Sequence, residues 1–443
     1  MKRRVTVEID LKALVRNYRK IVAHVKPMKV LCVLKANAYG LGVAEYAKAL
    51  YAAGCENFGV AEPHEAMELI RVFSSRDRNV ASPLSADLPQ RGRDKNVVSP
   101  LSVDLSQRGR EGGSASSLLV CAQRGRDIPV ACVKKTSSAF PSIQILSSIL
   151  PDEIPEMVRA GVILPITDLA SARLISAAAV RAKKIARVHF KLDTGMGRLG
   201  ILASDPTGVD RALETIRAVR ALPNLDCEGI FTHCPMAYEP KDPFTKRQIA
   251  LFKSILAACA KEGITFKKVH MAASDAINNF PETAKKPFTL VRTGINLHGS
   301  FDPYGRKALK VEPVLTLKTR VAQVRELPAG TTLGYGRTWC LNAQAKIATI
   351  SAGYADGLPL ALTNRGFVFI GGRRCKIVGR ISMDYTTVDV TDVPNVKAGD
   401  EVICFGKCGK DAITPDDWAA LKGTHAYDII CSLGNRVVRV PVR

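Results

Sequence analysis

The sequence predicts an α/β chain: a (β/α)8 TIM-like barrel over residues 1–310, followed by a C-terminal mostly-β domain over 311–443. Three observations predict it. Eight short apolar runs, at 29–35, 57–61, 142–148, 162–167, 187–193, 225–233, 267–273 and 289–294, alternate with stretches of helical apolar spacing. Alternation of that kind builds a parallel sheet covered by helices, and eight repeats suit a closed barrel. A doubly wound open sheet is the competing arrangement, because a strand count does not reveal closure. After Val311 the texture changes to strands and turn glycines: VLTLKTRVAQV, AKIATISAG, GFVFIGGRRCKIVG, TTVDVTD and DEVICFGK, with PDDWAALKG alone reading as a helix. Finally, 443 residues with 47% apolar and 24% charged composition fit a globular chain of two domains.

A first helix runs over about 10–25, with Asp10 as N-cap and Leu11, Leu14 and Ile21 on one face. Further helices are expected near 42–53, 63–73, 152–160, 169–184, 207–221, 243–262 and 275–284. Residues 76–127 fit neither texture. They read RDRNVASPLSADLPQRG, RDKNVVSPLSVDLSQRG and a decayed third copy. Serine, proline, arginine and aspartate without an apolar face cannot offset ordering entropy, so a disordered insertion is expected over about 74–140. It joins a helix to the next strand, a connection that lies on the barrel face opposite an active site.

Charge and composition exclude several classes. The net charge of +23 permits nucleic-acid binding or steering of anions, but it is spread along the chain. Without an apolar run of eighteen residues, no membrane helix is expected. Glu8, Asp10 and Lys12 interrupt the basic start MKRRVTVEIDLKAL, which argues against a secretory signal and for the cytoplasm. The 12 cysteines contain no C-x-x-C pair, so they read as reduced thiols and no metal site is expected.

Chemistry concentrates at the ends of the barrel strands, where barrel active sites are built. Lys35 ends the first strand; Lys191 and Asp193 end the fifth, followed by Arg198; His233 ends the sixth; His270 lies on the seventh, with Ser274 just after it; Arg292, Gly294 and Ile295 close the eighth. A mouth of lysines, arginines and histidines suits a phosphorylated anion. A buried lysine amine suits a Schiff base to pyridoxal phosphate, with Ser274 and the Gly294–Ile295 turn placed for the phosphate. The G-x-G-x-x-G within DTGMGRLG invites a dinucleotide reading, but it follows the fifth strand and has no acidic residue placed for a ribose.

The segments VEIDLKAL, VLKANAYGLG, KLDTGMGRLG, VRTGINLHG, LGYGRTW, GYADGLP, GRISMD and AYDIICSLGNRVVRVPVR span the chain outside the insertion. Together they resemble alanine racemase, the fold-type III pyridoxal 5'-phosphate family. The resemblance implies interconversion of L- and D-alanine, supplying D-alanine for peptidoglycan, by a homodimer with shared active sites. It implies that Lys35 is the Schiff-base lysine and one catalytic base, and that Tyr335 is the other base, reaching the partner subunit's site. Arg292 matches the arginine at the cofactor's pyridine nitrogen, with His233 and His270 around that ring. Arg198 matches an arginine near the cofactor's phenolic oxygen and the substrate carboxylate. Tyr39, Ser274, Gly294, Ile295 and Tyr427 match phosphate-binding positions. Tyr354 and Met383 match the substrate entrance and carboxylate site, and Lys191 a lysine that is often carbamylated.

Departures from the family pattern are Cys234 after Thr232-His233, Ala273 before Ser274, Asp275 after it, and His298 where tyrosine is common. They bear on rate and selectivity rather than reaction type. Two other readings stand beside this one: a racemase of serine or another small amino acid, and an RNA-binding protein using the Arg-Gly repeat. The second expects strongly salt-dependent RNA affinity and leaves the mouth residues without a role.

Overall fold

The computed structural model describes residues 3–74, 140–301 and 308–442. The Arg-Gly repeat and the insertion, apart from its outermost residues, lie outside the described residues. Asp10 separates the first two elements. It ends the strand Thr6–Asp10, and its carboxylate accepts the Ala13 N–H at 2.8 Å to start helix Leu11–Val25. That helix buries Leu11, Leu14, Tyr18, Ile21 and Val25, one apolar stripe at helical spacing.

Eight parallel strands follow: β1 Lys29–Val33, β2 Asn57–Val60, β3 Ser142–Ile145, β4 Leu164–Ile166, β5 Ala186–Asp193, β6 Leu225–Phe231, β7 Lys268–His270 and β8 Leu290–Thr293. Ladders run β8–β1–β2–β3 and β4–β5–β6–β7. Two seams join them. Ile145 N–H donates to Ile163 O at 3.0 Å and Ile163 N–H to Ile143 O at 2.9 Å; across the other seam Thr289 N–H donates to Val269 O at 2.9 Å and Arg292 N–H to Ala272 O at 3.0 Å. The ring closes, so the barrel and not the open sheet is the architecture.

The second sheet is organised on β9, Leu315–Leu327, whose thirteen residues span more than one partner. One edge pairs antiparallel with Thr6–Asp10. Its middle pairs with β14, Glu401–Cys408, and its far end with β10, Ala345–Ile350. β11 (Phe367–Ile370) and β12 (Arg373–Lys376) extend the β14 side, and β13 (Thr386–Asp389) pairs with β10. The last strand, β15 (Val438–Val442), lies parallel to Thr6–Asp10. This sheet therefore draws on both ends of the chain rather than on residues beyond 311 alone.

Three further expectations change. The strand expected over 29–35 stops at Val33, so Lys35 stands in the turn beyond it. The helix expected over 275–284 breaks into Ser274–Asn279 and a 3-10 turn Pro281–Ala284, because Pro281 cannot continue the first helix. A second short helix, Ala426–Cys431, follows Pro415–Lys422.

Candidate active site

Lys35 opens a left-handed turn. Ala36, Asn37, Ala38 and Tyr39 all have φ between 52° and 60°. Left-handed backbone costs a non-glycine residue about 1–2 kcal/mol, so the turn persists only because its surroundings hold it. The Glu65 carboxylate accepts the Ala36 N–H through one oxygen and the Ala61 N–H at 2.8 Å through the other. Asn37 Oδ1 accepts the Val43 N–H at 2.7 Å, and Asn37 O accepts the Leu41 and Gly42 N–H groups, each at 3.0 Å. Lys35 remains exposed at the mouth. Desolvation lowers its pKa first, and Arg198 lowers it further, against opposition from Cys431 and Glu65.

Along β5, His189, Lys191 and Asp193 alternate and so share a face. Lys191 Nζ donates to Leu146 O at 2.6 Å and lies 5.6 Å from the Phe231 ring centre. Burial, then Arg198, Arg292 and Lys35, push its pKa down to about 8. Asp193 organises the loop after the strand. Its carboxylate accepts the N–H groups of Gly195, Met196, Gly197 and Arg198 at 2.8–3.1 Å. Burial raises the Asp193 pKa, but the four donors outweigh it and hold the group below the usual carboxylate range. The glycine-loop N–H groups are thus turned to Asp193 and not to a pyrophosphate, which removes the dinucleotide reading.

Arg292 is buried on β8. Its terminal nitrogens donate to His270 Nδ1 at 2.7 Å and to the carbonyls of Thr232 and Met271, each at 2.8 Å. Nε–H is left without a protein acceptor among the described residues. No carboxylate pairs with this guanidinium among them either, and burial lowers its pKa to about 10. A chain of rings lies behind it. His270 Nε2 is 3.3 Å from His189 Nδ1, and His189 Nε2 is 3.3 Å from Glu228 Oε1, which also accepts from Lys268 at 3.1 Å. Arginine only donates, so His270 Nδ1 must accept and Nε2 carries its proton. By the same logic His189 carries its proton on Nε2 and donates it to Glu228. Burial keeps both imidazoles neutral, and His233, beside Arg292, is pushed down to about 3 by burial and then by Arg292. His270 is fully buried, with both nitrogens engaged, so it reaches the mouth only through Arg292.

Opposite these cations, Gly294 N–H donates to Ser274 Oγ at 3.0 Å, leaving the serine O–H to donate elsewhere. A Cβ on Gly294 would lie 2.1 Å from Tyr39 Oη, so the residue must be glycine for the phenol to approach the turn. The rings of Tyr39 and Tyr427 stand 5.6 Å apart. This fits a phosphorylated aldehyde. Four cations, Lys35, Lys191, Arg198 and Arg292, face two carboxylates, Asp193 and Glu65, both occupied by backbone N–H groups. A hydroxyl, two phenols and a glycine turn lie alongside.

The structure does not bring every candidate into this cluster. Tyr335 stands on a 3-10 turn of the second sheet, 73% exposed, and is not among the groups that shift Lys35. It lines a shallow cavity of about 370 Å³ with Gly334, Arg380, Ser382, Tyr385 and Thr387. Tyr354 and Met383 are also exposed, at 45% and 53%. Glu65, His189 and Glu228 were not singled out from sequence. A glutamate within the apolar run of β6, and a histidine two residues before Lys191 on the same face, were the available signals.

Comparison with known proteins covers the chain end to end. The family model described as "Alanine racemase, N-terminal domain" matches residues 9–302, and "Alanine racemase, C-terminal domain" matches 314–441. A curated alanine racemase of Desulforamulus reducens is 32% identical over 99% of both chains; one from Halothermothrix orenii is 32% identical over 99% of this chain and 98% of its own. The crystal structure of alanine racemase from D-cycloserine producing Streptomyces lavendulae matches with a TM-score of 0.79 at 28% identity, covering 100% of this chain and 98% of that one. The Bartonella henselae alanine racemase, with covalently bound pyridoxal phosphate, matches with a TM-score of 0.75 at 26% identity over 100% of both.

Proposed function

The chain belongs to the alanine racemase family, and on that premise we propose that it interconverts L- and D-alanine with pyridoxal 5'-phosphate, as a homodimer whose chains complete each other's sites. The observation that carries this reading is the buried cation cluster around an accessible lysine whose pKa burial and Arg198 lower.

Bound at Lys35, pyridoxal phosphate supplies an electron-withdrawing ring that acidifies the Cα proton of an amino acid. Ser274 O–H, the Tyr39 and Tyr427 phenols and the Gly294–Ile295 turn would hold its phosphate. The Arg292 Nε–H would meet the ring nitrogen. Because arginine keeps its own proton, it leaves that nitrogen unprotonated. Neutral His270, fixed by His189 and Glu228, keeps Arg292 aimed, and His233, beside Arg292, would flank the same ring. Arg198 would pair with the substrate carboxylate, with Met383 and Tyr354 shaping the entrance. Lys191, with its pKa near 8, has enough free amine to take up carbon dioxide as a carbamate beside Arg198.

Racemisation requires a proton to leave one face of Cα and return to the other, so two bases must flank one carbon. The Lys35 amine serves one face. An ordinary lysine titrates near 10.4 and is almost wholly protonated at neutral pH; desolvation and Arg198 lower that barrier to deprotonation. The other face is assigned to Tyr335 of the partner subunit. Nearby cations favour the phenolate form of a tyrosine, the form that can act as a base. Exposure of Tyr335 in the single chain supports a role that a second copy completes. No helix among the described residues is long and apolar enough to cross a membrane; the same reading assigns the enzyme to the cytoplasm and its product to peptidoglycan.

Incubation with L-alanine in deuterated water tests this. Loss of the Cα proton signal together with appearance of D-alanine is expected. Turnover of L-serine without turnover of alanine, or exchange with neither, contradicts it.

A further inference from the structure

Two arginines three residues apart, Arg436 and Arg439, carry no role in the reaction described above. Arg439 donates Nε–H to Gly40 O at 2.8 Å. Its terminal nitrogens donate to the carbonyls of Gly434 (2.8 Å), Val437 (2.6 Å) and Leu433 (2.8 Å). It therefore grips four carbonyls. Gly40 is the exit of the left-handed turn that Lys35 opens. The guanidinium ties that turn to the segment 433–437.

Arg436 turns the other way. Its Nε and one terminal nitrogen meet Asp356 Oδ1 and Oδ2 at 2.7 and 2.9 Å, a two-pronged contact. The other terminal nitrogen donates to Asp384 Oδ1 at 2.7 Å. Asp356 is buried, and its Oδ2 accepts the N–H of Gly353, the residue before Tyr354, at 2.9 Å. Asp384 follows Met383, whose carbonyl also faces Arg436 at 3.3 Å. Gly434, whose carbonyl Arg439 holds, lies two residues before Arg436. A Cβ there would fall 2.2 Å from Ala355 O, so segment 433–437 lies directly against the Tyr354 turn.

We propose that Arg436 and Arg439 are positioning residues forming a clasp: Arg439 sets the register of the Lys35 turn, and Arg436 sets the Tyr354–Met383 rim over the substrate entrance. Arg439 touches none of the residues assigned to the reaction, and Arg436 reaches one of them only at its backbone, the Met383 carbonyl. The planar fork of arginine can hold several acceptors at once, and a lysine ammonium in the same place reaches fewer of them. The proposal rests on the racemase reading of Lys35, Tyr354 and Met383, and it separates two kinetic quantities that a merely structural junction moves together.

The test uses the holoenzyme. Arg439→Met is expected to lower kcat about tenfold or more with KM within about twofold, because a small displacement of a base spoils its alignment. It should also speed release of pyridoxal phosphate, followed by absorbance, and Arg439→Lys should restore part of both. Arg436→Met is expected to raise KM about tenfold, with kcat within about threefold, by loosening groups that position substrate; cofactor release should stay at the wild-type rate. Urea midpoints are taken for every variant. One shared kinetic pattern for the two arginines, wild-type kinetics in both, or losses that follow only the fraction of folded protein each overturn the clasp. Failure of the racemase reading is distinct: the wild type then exchanges no Cα proton of alanine, while cofactor release still reports whether Arg439 holds the Lys35 turn.

Discussion

The barrel mouth and the exposed rim of the second sheet treat charge in opposite ways. At the mouth, Arg292 and Lys191 are buried with carbonyls and rings for partners, and no acid pairs with Arg292 among the described residues. On the rim of the second sheet Arg374 and Arg436 are exposed and paired with acids, Arg374 with Asp411 at 3.1 Å and Arg436 with Asp356 and Asp384, each at 2.7 Å. The aromatic groups invert the pattern: Tyr39 is buried beside the mouth, whereas Tyr335 and Tyr354 face solvent. One region lowers the pKa of its amines by burial and neighbouring cations. The other carries an exposed phenol, the group that the proposed function assigns to a partner's site.

Removing either proposed base tests that contrast most severely. Lys35→Ala should reduce racemisation by about 10³-fold or more, and Tyr335→Phe by about 10²–10³-fold, the range of general acid–base catalysis. The two should differ otherwise. Tyr335→Phe alters an exposed side chain and should leave the urea midpoint and cofactor content unchanged, whereas Lys35→Ala should lose tight cofactor binding. Next in size, Arg292→Glu places an acid at the ring nitrogen, where it supports a protonated, stronger electron sink. Pyruvate formation, read by a coupled lactate dehydrogenase assay, should rise about tenfold relative to racemisation; a clean racemase from this variant contradicts the role given to Arg292.

The same contrast sets the pH response of stability. His233 and His298 are held down to about 3, and His189 and His270 are lowered as well, all chiefly by burial. Their folded pKa values lie below the unfolded value, so the unfolded chain binds more protons as pH falls through about 6.5, and stability drops with it. His233 and His298 are each worth about 2 kcal/mol of that loss at pH 5. Glu228, held near 2 because His189 and Lys268 outweigh its burial, adds a second window as pH falls from its unfolded value near 4.5 toward 2. Urea midpoints between pH 7.5 and 5 should show the histidine limb, and an unchanged midpoint contradicts it. Arg374→Ala, by comparison, should leave the midpoint unmoved at any pH, because exposed pairs contribute little.

Much of this was legible in the sequence for identifiable reasons. Apolar runs such as Val30–Val33 mark barrel strands because both faces of a parallel strand are buried. The turn after Lys35 was not legible: Ala36 through Tyr39 adopt positive φ without a glycine among them, held by Glu65 from another helix. The Glu228–His189–His270–Arg292 chain was hidden because its members sit on four strands that only barrel closure brings together. The strand Thr6–Asp10 escaped notice because its partners begin more than 300 residues later. Tyr335 was found through a resemblance, and nothing in its own hydropathy distinguishes it from an ordinary surface tyrosine.

The shared site can be tested by mixing the two inactive variants under conditions that exchange subunits. If each site takes Lys35 from one chain and Tyr335 from the other, a hybrid of Lys35→Ala with Tyr335→Phe has one intact site and one doubly damaged site. Random exchange should then restore about a quarter of wild-type activity, since half the dimers are hybrids with one working site of two. Complete exchange, verified by mass spectrometry, with no recovery of activity would contradict the shared site.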